Sequence, residues 1–186
     1  IDDLKEYKVI GILRGFQPKI TKKLVKIYKE MGINFIEVTY NSPRSMDIIN
    51  QMAKEMDCYI GVGTVTNIKE LEVALKAGVN FVVTPNYSHQ VIKRCNKSNV
   101  PIISGAFSPT EIYNAWNDGA DAVKVFPASV IGSEYIKSIL GPFSDIKLVP
   151  TGGIGEKNIQ SFLEAGAFAF GIGGGLIDKK AIENKS

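Results

Sequence analysis

Two charged side chains stand in apolar company, where charge is costly. Glu37 lies inside Phe35-Ile36-Glu37-Val38-Thr39, and Lys124 inside Ala122-Val123-Lys124-Val125-Phe126. Both runs read as strands. Strand alternation groups Ile36 with Val38, and Val123 with Val125, and turns Glu37 and Lys124 to the opposite face. A buried charge needs a partner or a task. The plain explanation is a structural Lys124–Glu37 ion pair. The sharper one is a Schiff-base lysine. An amine with pKa ~10.4 is only ~0.1% neutral at pH ~7.4. Desolvation and a nearby cation that bring the pKa to ~7–8 leave tens of percent nucleophilic. Such an amine attacks a carbonyl and holds it as an iminium electron sink. Glu37 would then move protons at the carbon beside the imine. Arg14, ending Ile12-Leu13-Arg14-Gly15, closes a third run of the same kind.

Glycines form a second constellation, in Thr151-Gly152-Gly153 and in Gly171-Ile172-Gly173-Gly174-Gly175. Glycine lets backbone N–H groups approach an anion closely. Simple turn glycines are the plainer alternative.

The elements that would position these groups repeat regularly. Eight β-type runs begin near Lys8, Asn34, Cys58, Asn80, Val100, Asp121, Ile146 and Phe168. Their spacing averages about 23 residues, enough for one strand, one helix and two short loops. Helix starts are written as Ser108-Pro109-Thr110-Glu111 and Asn67-Ile68-Lys69-Glu70, with Ser42-Pro43 opening another. Gly32, Gly78, Gly119 and Gly166 follow helical runs as stops. Ile20, Leu24, Ile27 and Met31 keep a helical apolar period.

Eight alternating units predict an α/β fold, a single-domain (β/α)8 TIM barrel over residues 1–186, with an open doubly wound sheet as the alternative. Only nine residues follow Ile177, so the eighth helix is expected to be brief. In such a barrel the chemistry sits at the C-terminal strand ends. Arg14, Glu37 and Lys124 then share one rim. The loops after strands seven and eight, with the N-terminus of a short helix, are the usual phosphate site.

Composition narrows the classes. A net charge of +3 does not suggest a nucleic-acid binder. The charge-free stretch Ala165–Ile177 has 13 residues and five glycines, too short and too glycine-rich to span a bilayer. The sequence starts at Ile1 without a basic-then-apolar leader, which leaves room for an upstream piece. Cys58 and Cys95 make no disulfide framework, so a cytoplasmic location is expected, with the two as core or near-surface residues. One histidine, His89, argues against a metal site, and no cofactor is expected. His89 is expected at the surface, Trp116 in the core, and Lys22-Lys23 and Lys179-Lys180 on solvated faces.

Four segments together resemble a known family. Val123-Lys124-Val125-Phe126-Pro127-Ala128, Glu37-Val38-Thr39, Gly61-Val62-Gly63-Thr64-Val65 and Thr151-Gly152-Gly153-Ile154 are similar to the 2-keto-3-deoxy-6-phosphogluconate (KDPG) and 4-hydroxy-2-oxoglutarate aldolases. The resemblance runs from Arg14 to about Leu176. It implies Lys124 as the Schiff-base lysine and Glu37 as the acid/base. It places Arg14, Thr64 and Pro85 at the pyruvate end and Phe126 beside the imine; the strand-end loops put phosphate on Gly152, Gly153, Gly173 and Gly174, with Thr151 adjacent and near the C4 oxygen. It also implies a homotrimer. The substrate would be a phosphorylated keto-sugar acid, cleaved to pyruvate and glyceraldehyde 3-phosphate, with 4-hydroxy-2-oxoglutarate as a second one, giving pyruvate and glyoxylate.

The branch marks conflict. Asn41 stands where the gluconate branch usually has arginine, and Tyr40-Asn41-Ser42-Pro43 and Val83-Thr84-Pro85-Asn86 look like the 6-phosphogalactonate branch. Thr151 instead matches the gluconate type, where the galactonate type has valine. A serine common in the last loop is replaced within Gly173-Gly174-Gly175, which leaves the phosphate to backbone groups. The alternatives are the galactonate aldolase, a phosphate-binding barrel isomerase or synthase without imine chemistry, and a catalytically silent sugar-phosphate binder.

Overall fold

The computed structural model of the chain describes residues 1, 3–177 and 182. A short helix α1 (Leu4–Tyr7) leads into β1 (Val9–Leu13), α2 (Pro18–Glu30), β2 (Phe35–Thr39), α3 (Ser45–Glu55), β3 (Tyr59–Gly63) and α4 (Ile68–Lys76). Next come β4 (Phe81–Val83), α5 (His89–Lys97), β5 (Ile102–Ala106), α6 (Pro109–Asn117) and β6 (Ala122–Val125). The chain continues through α7 (Ala128–Ile131), α8 (Ser133–Leu140), β7 (Leu148–Pro150), α9 (Ile159–Glu164) and β8 (Phe170–Ile172).

All eight strands run parallel in the order β7-β6-β5-β4-β3-β2-β1-β8. Each begins within two residues of its expected start. The two ends of that order meet in a narrow seam. There Thr151 bridges Gly171, and the Phe168 N–H donates to the Leu148 carbonyl at 2.9 Å. The result is a (β/α)8 barrel, and the open-sheet alternative falls away.

Strand alternation divides the core in two. Ile10, Phe35, Phe81, Ile103, Ala122 and Val149 fill the barrel interior. Ile36, Val38, Ile60, Val62, Val123 and Val125 pack outward beneath the helices. Glu37 and Lys124 therefore point inward, Glu37 from the middle of β2 and Lys124 from near the C-terminal end of β6.

Most helix boundaries obey local chemistry. Ser108 and Glu111 form a full capping box, and the Asn67 side chain accepts from the Glu70 N–H at 3.1 Å. Gly32, Gly78, Gly119 and Gly166 all have φ between +80° and +95° at helix ends. Ser42-Pro43 is a correction: α3 starts at Ser45, behind Arg44 at φ 52°, and Ser42 is not its cap. The Ser42 hydroxyl is engaged elsewhere, as described below. Met31 caps α2 and is exposed, so that apolar stripe ends at Ile27. The expected eighth helix and Lys179-Lys180 lie outside the described residues.

Candidate active site

Lys124 is 4% exposed and Glu37 1% exposed, although both are ionisable. Backbone economy makes room for them. Glu37 pairs in register with Gly61 on β3, and a Cβ on the nearby Gly63 would overlap the Glu37 carboxylate. Lys124 pairs with Gly105 on β5, where a Cβ would run into the Pro85 backbone. Pro85 thus closes over the strand beside the lysine. The Lys124 Nζ stands 5.1 Å from the centroid of the Phe126 ring.

Arg14 reaches across from the end of β1 and donates from Nη2 to Thr64 Oγ1 at 3.1 Å. Thr64 has φ 62°, a left-handed conformation that is costly for a β-branched residue. In that conformation the hydroxyl accepts from the arginine.

Among the described residues, no hydrogen bond or ion pair locks Lys124 to Glu37, and Glu37 Oε1 is buried without a hydrogen-bond partner. The structural ion pair considered from the sequence is therefore not formed. The two groups act on each other through space. Burial pushes the Lys124 pKa below its usual value; the Glu37 charge resists this and the Arg14 cation adds to it. Burial pushes Glu37 above the usual carboxylate range, against the pull of Lys124 and Arg14. An amine whose charge is disfavoured by burial, near a carboxylate with an unsatisfied oxygen, has the groups that covalent capture of a carbonyl and proton transfer need.

A cavity of about 480 Å³ opens over Lys124. Arg14, Phe126 and Thr151 line it, with Gly152-Gly153 on one loop and Gly173-Gly174 on another. Gly152 and Gly153 have φ of 91° and 73°, which only glycine adopts without strain. The glycine loops and the lysine thus share one chamber. Glu37, Thr64 and Pro85 are not part of its wall. They stand around it, through Lys124, Arg14 and Gly105 respectively. The expected helix after β8 falls outside the described residues, and the cavity wall opposite Lys124 is glycine-loop backbone.

The remaining candidates sit apart from the cavity. His89 bonds Asp118 Oδ2 through Nδ1 at 2.8 Å on the outer surface. Cys95 is buried in the core, with its thiol pushed up to about 12 by that burial, and Cys58 is half-buried. Trp116 packs half-buried against the core. Lys22 bonds Gln51, and Lys23 is exposed. Among the described residues, no group of three His, Cys, Asp or Glu could hold a metal ion, and no helix is long and apolar enough to cross a membrane. Two site residues escaped the sequence reading. Gly63 was legible only as part of a motif, and Ser42 was read as a helix cap.

The family model for KDPG and KHG aldolase matches residues 1–186. The chain is 31% identical to the 2-dehydro-3-deoxy-phosphogluconate aldolase of Haemophilus influenzae, over all of this chain and 89% of that one. It is also 31% identical to the 2-dehydro-3-deoxy-6-phosphogalactonate aldolase of Escherichia coli, covering 90% of this chain and 83% of that one. A KDPG aldolase from Legionella pneumophila, solved with pyruvate captured as a covalent carbinolamine, superposes with a TM-score of 0.89. It is 27% identical and covers 96% of this chain and 88% of that one.

Proposed function

Because the chain belongs to the KDPG and KHG aldolase family of carbon–carbon lyases, we propose that it cleaves 2-dehydro-3-deoxy-6-phosphogluconate through a Schiff base on Lys124. The observation that carries this reading is the buried, unlocked Lys124 at the floor of a chamber walled by glycine loops. The carbinolamine trapped in the Legionella relative supports the same chemistry.

In this proposal Lys124 Nζ attacks the C2 carbonyl, water leaves, and an iminium forms. Glu37, through a water molecule, takes the C4 hydroxyl proton. The C3–C4 bond breaks, its electron pair enters the iminium to give an enamine, and glyceraldehyde 3-phosphate departs. Glu37 returns the proton to C3, and hydrolysis of the imine frees pyruvate and the amine. Arg14 and Thr64 hold the anionic pyruvate end, Pro85 and Phe126 pack against it, and the N–H groups around Gly152, Gly153, Gly173 and Gly174 hold the phosphate. No metal or other cofactor takes part. 4-Hydroxy-2-oxoglutarate, cleaved to pyruvate and glyoxylate, is a second substrate. The enzyme works as a cytoplasmic homotrimer. Pyruvate release from the phosphorylated acid, followed in a coupled assay, tests the proposal. Failure to release pyruvate from either epimer would overturn it.

The pH dependence follows from the two shifted groups. The free amine is the nucleophile, so imine formation should rise with pH and level off at a midpoint below the ordinary lysine value of ~10.4. The carboxylate is the base, so turnover should fall on acidification at a midpoint above the ordinary glutamate value of ~4.3. An acid limb that follows an unshifted carboxylate would count against Glu37.

Thr151 bears on the epimer. The relatives include both gluconate and galactonate aldolases, which differ in the C4 hydroxyl they accept. Thr151 lines the cavity and donates its hydroxyl proton to the Val149 carbonyl at 3.2 Å, which leaves its oxygen free to accept from substrate. One net hydrogen bond of ~1 kcal/mol changes a ratio about fivefold. Both epimers should react, with the gluconate form favoured, and Thr151→Val should narrow that preference. Equal kcat/KM for the two in the wild type, or an unchanged ratio in Thr151→Val, would contradict it.

A further inference from the structure

The loop after β2 holds a hydroxyl whose bonds lead away from its own helix. We propose that Ser42 is a positioning residue for the reaction: its side chain fixes the turn that carries Arg14 and so keeps the guanidinium at the mouth of the Lys124 cavity. This inference rests on the aldolase reading above.

The Gly15 N–H, immediately after Arg14, donates to Ser42 Oγ at 2.8 Å. Ser42 Oγ also lies 2.8 Å from Thr39 Oγ1 at the end of β2. Ser42 is 6% exposed and Thr39 fully buried, so the Ser42–Thr39 bond is shielded from water, and the bond to the exposed Gly15 is part-buried. Besides the Thr39 contact, the loop has bonds of its own that do not use this hydroxyl. Its backbone is held by Ser42 N–H to Thr39 O at 2.9 Å and Ser45 N–H to Ser42 O at 3.2 Å, and the Ser45 hydroxyl bonds Tyr40 O at 2.7 Å. The Ser42 hydroxyl therefore serves the neighbouring turn, where Gly15 has φ 74°.

Arg14 is a long, exposed side chain that would otherwise sample many rotamers. It is held at both ends, by Ser42 at its backbone and by Thr64 at its head. The charged groups that act on Lys124 are Glu37 from β2 and Arg14 from the end of β1. Misplacing the guanidinium weakens the grip on an anionic substrate and removes a cation that favours the neutral amine.

The test is borohydride trapping of pyruvate across pH in wild type, Ser42→Ala, Ser42→Thr, Arg14→Met and the Ser42→Ala/Arg14→Met double variant. Ser42→Ala should weaken apparent pyruvate affinity about tenfold and move the trapping midpoint to higher pH. Ser42→Thr should restore both. In the Arg14→Met background, Ser42→Ala should add nothing further, because the group it positions is gone. If Ser42→Ala does not fold, Ser42→Cys, with its weak acceptor sulfur, should give the same shifts. A variant that loses only thermal stability, with wild-type affinity and midpoint, overturns the inference, as do independent, additive effects of the two substitutions. Wild-type protein that traps no pyruvate overturns the aldolase reading itself. Normal wild-type trapping with an unaltered Ser42→Ala overturns this inference alone.

Discussion

Lys124→Arg is expected to abolish turnover and borohydride trapping with pyruvate, while the wild type is inactivated irreversibly and labelled at Lys124 alone. The reason is chemical more than steric. Imine formation needs a neutral amine with a free electron pair, and a guanidinium with pKa above ~12 does not supply one. Around the lysine, burial disfavours the charged form, and the Arg14 cation adds to the effect. None of this helps arginine, which keeps its proton. The variant retains a long cationic side chain, so loss of activity in a folded protein isolates the nucleophile from the charge. Peptide mapping after reduction decides the matter. A label on another residue, or no label on an active wild type, would end the Schiff-base assignment.

Glu37→Gln should separate the two halves of the reaction. The amide keeps the size of the carboxylate and sits in the same Gly63-made space, so Lys124 should still capture pyruvate. Proton exchange at the pyruvate methyl should slow by ~10²–10⁴-fold, the usual worth of a positioned acid/base. Deuterium incorporation followed by NMR reads this directly, and trapping on the same sample reports the imine. Exchange near the wild-type rate would mean that another group moves the proton. Complete loss of trapping would instead assign Glu37 to imine formation.

How much of this was legible in the sequence depends on the range of the cause. Alternation within a strand is local, so the inward faces of Glu37 and Lys124 could be read from Ile36, Val38, Val123 and Val125. The eight starts were legible because each repeat carries its own strand, and four helices close on Gly32, Gly78, Gly119 and Gly166. The function of Ser42 was not, because its partner Gly15 is 27 residues away and Ser-Pro is also a common helix opening. Nor could spacing show that Gly63 is glycine because a carboxylate from another strand occupies its side-chain volume. The left-handed Thr64 is a further case, since the Arg14 side chain that bonds its hydroxyl is 50 residues away.

The seam between β7 and β8 has a consequence for how ligand and fold support each other. Seven neighbouring strand pairs are laddered, but this eighth contact rests on the Thr151–Gly171 bridge and the Phe168 N–H. The same seam carries the two glycine loops, one on each side of it. An anion held by N–H groups from both loops would act as a clasp across the weakest joint of the cylinder. Its binding energy would then count toward keeping the barrel shut as well as toward affinity. The enzyme would leave part of its closure to its substrate and be a looser ring when idle than when occupied.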